Sequence, residues 1–259
     1  MQNEMNSLSE EKFSKFLLCL DENCNLTDRI LNRHSKFNQL SESQEIFRQL
    51  VQRSNILLCQ IREFIAEHHS YPFISLPLFI STRVALLDSI TTFYLHYSSM
   101  NIKSLADILR KLQQPLANSF YQIYQKCKEN GENIDPNEIE RVKNIFPGHF
   151  ENKNDTLKLI RLGKINTSDM VNEIQKADES HKHIHFQAYI NYMILSNSEH
   201  FNQGSHTLLN LNEEQLLQVV LPSLKYILQG QFVSLQKIID SEHEIIEAKS
   251  ILERVYELI

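Results

Sequence analysis

Glycine and proline are scarce in this chain, five and six among 259 residues. So few turn formers beside so many leucines, isoleucines, glutamates and glutamines imply long helices and short connections. Positive charge is also in short supply: 26 Lys and Arg against 32 Asp and Glu leave a net charge of −6. That balance argues against bulk electrostatic capture of nucleic acid, and no DNA partner is indicated, although a local basic patch is allowed. The four cysteines (Cys19, Cys24, Cys59 and Cys127) form no CxxC pair, and the opening MQNEMNSLSEEK is polar and acidic. Without a secretory pattern they read as reduced thiols of a cytoplasmic protein. The most apolar segment, 70–100, is interrupted by Arg83 and Asp88. It falls short of the roughly 18 uncharged residues a membrane span needs, so no membrane partner is expected. GxSxG, HExxH and the phosphate-cradling glycine loops are all missing, and with them the hydrolase, zincin and nucleotide-loop mechanisms they carry.

What remains is an ordinary globular composition, 42% hydrophobic and 22% charged. It points to one all-α domain over 1–259, a bundle of roughly eight to ten helices. HFENKND, near 147–155, is the most loop-like stretch and the place for a sub-boundary. In chain order, a short helix is expected over 9–20 and a second over 27–40. Ser41 and Gln44 then supply a capping box for a long helix to His69. After Pro115 the next helix is expected to kink or split. Asp135, Pro136 and Glu138 give a clean helix start and Pro147-Gly148 a stop. A short helix over 155–162, another from Ser168, and two C-terminal helices complete the reading, the first of them bent at Pro222.

From Pro77 to Met100 the pattern LFISTRVALLDSITTFYLHYSSM is apolar nearly all round, which marks the central helix of the bundle. Its two isolated charges, Arg83 and Asp88, need partners from other elements, because an unpaired buried charge costs several kcal/mol or shifts its pKa, roughly.

The stretch 178–206 holds five of the eleven histidines. At about 100° per residue, His181, His185, Tyr189, Tyr192, Ser196 and His200 share one helical stripe. Phe186, Ile190, Met193 and Ile194 lie to one side of it. Asp178, His181 and His185 have helical ligand spacing and are the residues for a metal, if there is one. The paired Glu-x-x-His motifs of a carboxylate-bridged bundle are missing, so no cofactor is expected. Metal-independent ribonuclease chemistry needs an arginine to hold phosphate and a histidine to move protons. Arg29, Arg33, His34 and Lys36 combine a basic ridge with such a group and are the candidate RNA contacts; an ordinary solvated face has the same composition.

Tyr192-x-x-Leu195-Ser196-x-x-x-His200 resembles a signature of a broad family of uncharacterised, mostly bacterial, all-helical proteins, loosely HEPN-like. The resemblance implies a helical bundle in which Tyr192, Ser196 and His200 meet an arginine and an acid of an earlier apolar helix, here Arg83 and Asp88. These five are the candidate catalytic residues. HEPN-like relatives include ribonuclease toxins and defence proteins, so a ribonuclease or defence module is the first functional expectation. A non-enzymatic interaction module, as a homodimer or with another partner, stands close behind it, and a metal-binding bundle third.

Overall fold

The computed structural model describes residues 10–37, 40–67, 75–99, 105–132, 134–153, 156–196 and 213–258. Among them the chain is all-α, with nine α-helices and one small hairpin. The helices are α1 (Glu10–Phe37), α2 (Glu42–Glu67), α3 (Ser75–Ser99), α4 (Leu105–Glu129), α5 (Pro136–Ile145), α6 (Thr167–Ala177), α7 (Lys182–Ser196), α8 (Glu213–Ile238) and α9 (Glu242–Leu258). Strands β1 (Phe150–Lys153) and β2 (Thr156–Leu159) lie between α5 and α6. The chain divides into two compact units, one of residues 1–96 with 171–259 and one of residues 97–170.

In the larger unit α1 packs on α2 and α9, and α8 packs on α2, α7 and α9. The sequence suggested two helices where α1 is one. Nothing between them breaks a helix: the intervening DENCNL holds no glycine or proline, and Phe16, Leu20, Cys24, Thr27 and Ile30 form a continuous buried stripe through it. Helix α2 opens with the expected capping box: Ser41 N–H donates to Gln44 Oε1 at 3.1 Å, and Gln44 N–H donates back to Ser41 Oγ at 3.3 Å.

Helix α3 is the central apolar helix. Leu78, Phe79, Thr82, Ala85, Leu86, Ser89, Ile90 and Phe93 to Leu95 are all buried, and Ile80, Val84, Leu87 and Thr91 are half-buried along the remaining side. By length and composition alone Leu76–Ser98 could cross a bilayer, but 67% of its most apolar window is buried inside the protein. That is the burial of a core helix. Gly230 of α8 lets the two backbones meet closely. A Cβ there would lie 2.7 Å from Ser89 Cβ and 3.0 Å from Ser89 Cα, inside contact distance. The helix passes through both Pro222 and Gly230 without ending.

The smaller unit holds α4, α5 and the hairpin. Pro115 sits inside α4, which it does not split. Asp135 caps α5 by accepting from Asn137 N–H at 2.9 Å, with Pro136 at the first helical position. Gly148 closes the following turn with φ 79°, a left-handed conformation that glycine adopts without a Cβ penalty. Within the segment 155–162, expected as a helix, Thr156–Leu159 is a strand. Its TLKL pairs antiparallel with FENK, Phe150 opposite Leu159 and Asn152 opposite Leu157. The period is two: Leu157 and Leu159 turn to the core while Lys158 is exposed. Ala117, Phe146, Phe150 and Leu157 form that core, flanked by Tyr121, Tyr124, Ile139 and Val142. His149 is fully buried and its Nε2 lies 2.7 Å from the Arg110 carbonyl. Leu162 N–H donates to Gln114 Oε1 at 2.9 Å.

Candidate functional site

Helix α7 is where the sequence places its candidate chemistry. It is entered through a single 3-10 turn, Glu179–His181, with Asp178 just ahead. There the Asp178 carboxylate becomes an anchor. Its Oδ1 accepts from Ser180 Oγ at 2.9 Å and lies 2.9 Å from His181 Nδ1, and its Oδ2 lies 3.1 Å from His185 Nε2. His185 is 3% exposed and its Nδ1 is 2.9 Å from the Tyr226 hydroxyl of α8. A carboxylate only accepts, so His185 Nε2 carries the proton and Nδ1 accepts from the tyrosine. Phe93 of α3 closes the group, its ring 5.3 Å from His185 and 4.9 Å from Tyr226. Burial pushes the His185 pKa down, and the nearby Asp178 carboxylate offsets part of that. The imidazole is therefore held neutral at neutral pH. Asp178, His185 and Tyr226 make one proton-ordered line from the surface to the core, where Tyr226 is 2% exposed.

The buried face of α7 is His185, Ala188, Asn191 and Leu195. Tyr189, Tyr192 and Ser196 lie on its half-buried flank, and His181 and His183 are exposed. Arg83 of α3 sits over the Tyr192 ring, 5.7 Å from its centroid, a cation–π geometry. Ser196 Oγ donates to the Tyr192 carbonyl at 2.7 Å, so its proton is used within its own helix. His200 lies outside the described residues. Asp88 points elsewhere: its Oδ2 is 2.8 Å from Arg53 Nε of α2. Burial raises its pKa to about 6, against the pull of Arg53. Of the five candidate catalytic residues, the structure sets Arg83 against the Tyr192 ring, leaves Ser196 bonded to its own helix backbone and places Asp88 with α2.

The basic ridge of α1 meets acids. Arg29 Nη2 is 2.7 Å from Glu247 Oε1 and Arg33 Nη1 is 2.7 Å from Glu244 Oε1, both on α9. His34 and Lys36 continue the same helix, and their side chains lie outside the described set. Between α1 and α9 runs an open groove of about 680 Å³ lined by Leu26, Arg29, Ile246, Glu247 and Arg254. Among the described residues no group of three His, Cys, Asp or Glu side chains is arranged to hold a metal ion. Asp178 instead bridges His181 and His185 by hydrogen bonds.

Two further features were not legible in sequence. Tyr226 and Arg53 complete the pairs above, yet each reads locally as an ordinary helix residue. A chain of buried amides also crosses the larger unit. Asn23 Nδ2 donates to Gln231 Oε1 at 2.7 Å, Gln231 Nε2 donates to Asn55 Oδ1 at 3.4 Å, and Asn55 Nδ2 donates to Asp28 Oδ1 at 2.8 Å. The available signal was Asn55 standing inside the apolar stripe of α2, among Val51, Leu58 and Ile61.

Comparison of the chain with protein-family models, with curated proteins and with solved structures finds no match. The fold defines its class, an all-α helical bundle.

Proposed function

We propose that the chain is a non-enzymatic helical interaction module whose partner surface is the outer face of α7, and whose partner is a second copy of the chain. One observation carries this reading. Phe186, Met193 and Ile194 are exposed at 51%, 46% and 37%, with the half-buried Ile190 between them. At i, i+4, i+7 and i+8 they form one contiguous apolar stripe. Isolated surface apolar groups are ordinary, whereas a contiguous patch on one helix face marks an interaction surface. The polar groups on the inner side of α7 are meanwhile engaged with one another: His185 with Asp178 and Tyr226, Ser196 with its own helix. An i, i+4, i+7 stripe is also the anchor pattern of helix-to-helix docking. Light scattering at micromolar concentration tests it. A dimer that the double variant Phe186→Glu/Met193→Glu dissolves, with an unchanged circular dichroism spectrum, is the expected result. A monomeric parent protein overturns the reading.

A second reading is a HEPN-like ribonuclease or defence module. The stacking of Arg83 on Tyr192 favours it, because that contact joins two elements of the resemblance, the apolar helix and the Tyr-x-x-Leu-Ser stretch leading to His200. Arg83 would hold phosphate and His200 would move the proton, without a metal. Cleavage of single-stranded RNA by purified protein, abolished in both Arg83→Ala and His200→Ala, is the expected outcome. Cleavage that survives in His200→Ala removes that site.

A further inference from the structure

Helices α1 and α2 run antiparallel, and three side-chain pairs set their register. Arg62 Nη2 lies 2.7 Å from Asp21 Oδ2 at one end, and Asn55 Nδ2 lies 2.8 Å from Asp28 Oδ1 at the other. Between them, on the same register, stand Cys24 of α1 and Cys59 of α2, facing each other across the helix pair. Asn55, one turn before Cys59, also reaches the Cys24 carbonyl at 3.4 Å. Cys24 is buried at 7% exposure, while Cys59 is partly exposed. Both are free thiols. The two are far apart in sequence, so no CxxC motif reveals the pair.

We infer that Cys24 and Cys59 form a redox-active dithiol that closes to an intramolecular disulfide when a hydroperoxide reaches Cys59. The pair is polarised. Cys24 keeps its proton, since the neighbouring Cys59 sulfur, burial and the carboxylates of Asp21 and Asp28 all push its pKa up. The neighbouring Cys24 thiol lowers the Cys59 pKa, against burial and the charges of Asp28, Glu63 and Asp21. Cys59 is the sulfur a hydroperoxide can reach, and the direction of its shift favours the thiolate, the form that reacts. In the first step the Cys59 thiolate attacks one peroxide oxygen. The O–O bond breaks, a sulfenic acid forms, and the leaving oxygen takes a proton to become water or an alcohol. In the second step Cys24 sulfur attacks Cys59 sulfur. The S–S bond forms, the S–O bond breaks, and hydroxide leaves as water with the Cys24 proton. Two thiols are oxidised by two electrons and one peroxide is reduced.

The test uses the full chain and hydrogen peroxide. The expected product has lost two hydrogen atoms by intact mass, retains two alkylatable thiols of four, and yields a tryptic peptide pair joining Cys24 to Cys59 that a dithiol reductant separates. In Cys24→Ser the reaction stops one step earlier, and dimedone labels Cys59. With iodoacetamide Cys59 reacts faster than Cys127, following thiolate fraction, because the neighbouring Glu132 pushes the Cys127 pKa up. A disulfide that pairs either residue with Cys19 or Cys127 overturns the inference. So does oxidation of Cys59 to sulfinic acid with Cys24 still alkylatable, or a chain that keeps all four thiols. Disulfide mapping on the parent protein decides the matter if Cys24→Ser does not fold.

Discussion

Arg53 Nε lies 2.8 Å from the Asp88 carboxylate, so the single acid of the central helix is answered from α2. The pair is uneven: the Asp88 side chain is 11% exposed and that of Arg53 61%. A cation with most of its hydration intact attracts weakly, whereas the buried carboxylate keeps most of its desolvation cost. Asp88 is accordingly raised to about 6, above the ordinary aspartate value of 3.8.

Asp88→Asn is therefore expected to stabilise the protein at pH 7.5, by up to about 3 kcal/mol at 1.36 kcal/mol per pKa unit. The sign follows from the folded-state pKa lying above the unfolded one. Between about pH 4 and 6 the folded protein holds more protons at this site than the unfolded chain. Ionisation of Asp88 thus removes stability as pH rises through that window. Urea denaturation of parent and variant at pH 7.5 and 4.5 reads this directly. The gain should shrink at the lower pH, and a loss of stability at pH 7.5 would contradict the account.

His185 acts in the opposite sense. Its pKa is lowered by burial, as is that of His96, which is half-buried and near Lys237. Both are neutral in the folded state where the unfolded chain begins to protonate. The stability they contribute is complete above the ordinary histidine value and falls as pH drops through it. His185→Gln should flatten the stability profile between about pH 7 and 6, the window set by the unfolded histidine. A profile as steep as the parent's would show that His185 does not titrate this way.

Tyr226→Phe removes the buried hydrogen bond between the tyrosine hydroxyl and His185 Nδ1. A cost of about 1–3 kcal/mol is expected. Thermal unfolding with near-ultraviolet circular dichroism measures it, and a variant as stable as the parent would mean that the hydroxyl carries no structural weight.

Gly230→Ala sets helix propensity against sterics. Alanine favours a helix interior by about 1 kcal/mol, but here its Cβ would overlap Ser89, including the Ser89 backbone. Overpacking of this kind costs about 1–3 kcal/mol, so the net change is a loss. The double variant Ser89→Gly/Gly230→Ala relieves one side of the overlap and should recover part of that loss in the same denaturation experiment.

In the smaller unit Leu157→Ala opens its core beside Phe146 and Phe150. A loss of about 2–5 kcal/mol is expected for a buried leucine. Hydrogen exchange should report it in β1, β2 and α5, and uniform loss across all helices would show that the two units do not unfold separately.

Local signals read well where one residue type has one job. Ser41 with Gln44, and Asp135 with Pro136, marked helix starts because capping is decided within four residues. The apolar wrap of α3 likewise identified the central helix. Reading failed where distant partners decide. DENCNL looks like an interruption until Phe16, Leu20 and Ile30 bury a face that runs through it. TLKL looks like a short helix until Leu157 meets Asn152 across a hairpin. At the candidate site the residues were visible and their partners were not. His185 stood out by type, but Tyr226 lies on α8 and Arg53 on α2, and no local pattern couples them. Arg83 and Asp88, five residues apart on one helix, face different neighbours for the same reason.

The ion pairs between α1 and α9 have one more consequence. Glu22 with Arg254, Arg29 with Glu247 and Arg33 with Glu244 keep a constant register as one helix ascends and the other descends. Singly, a pair as exposed as Arg29 with Glu247 contributes at most about 1 kcal/mol. Turned end for end, α9 would bring its glutamates toward Glu22 and its arginine toward Arg33, setting like charges against each other. The order of signs along α1, acid first and bases after, therefore works as a direction code. Attraction lost and repulsion gained add in that comparison, so the pairs separate the two orientations by more than they stabilise the correct one.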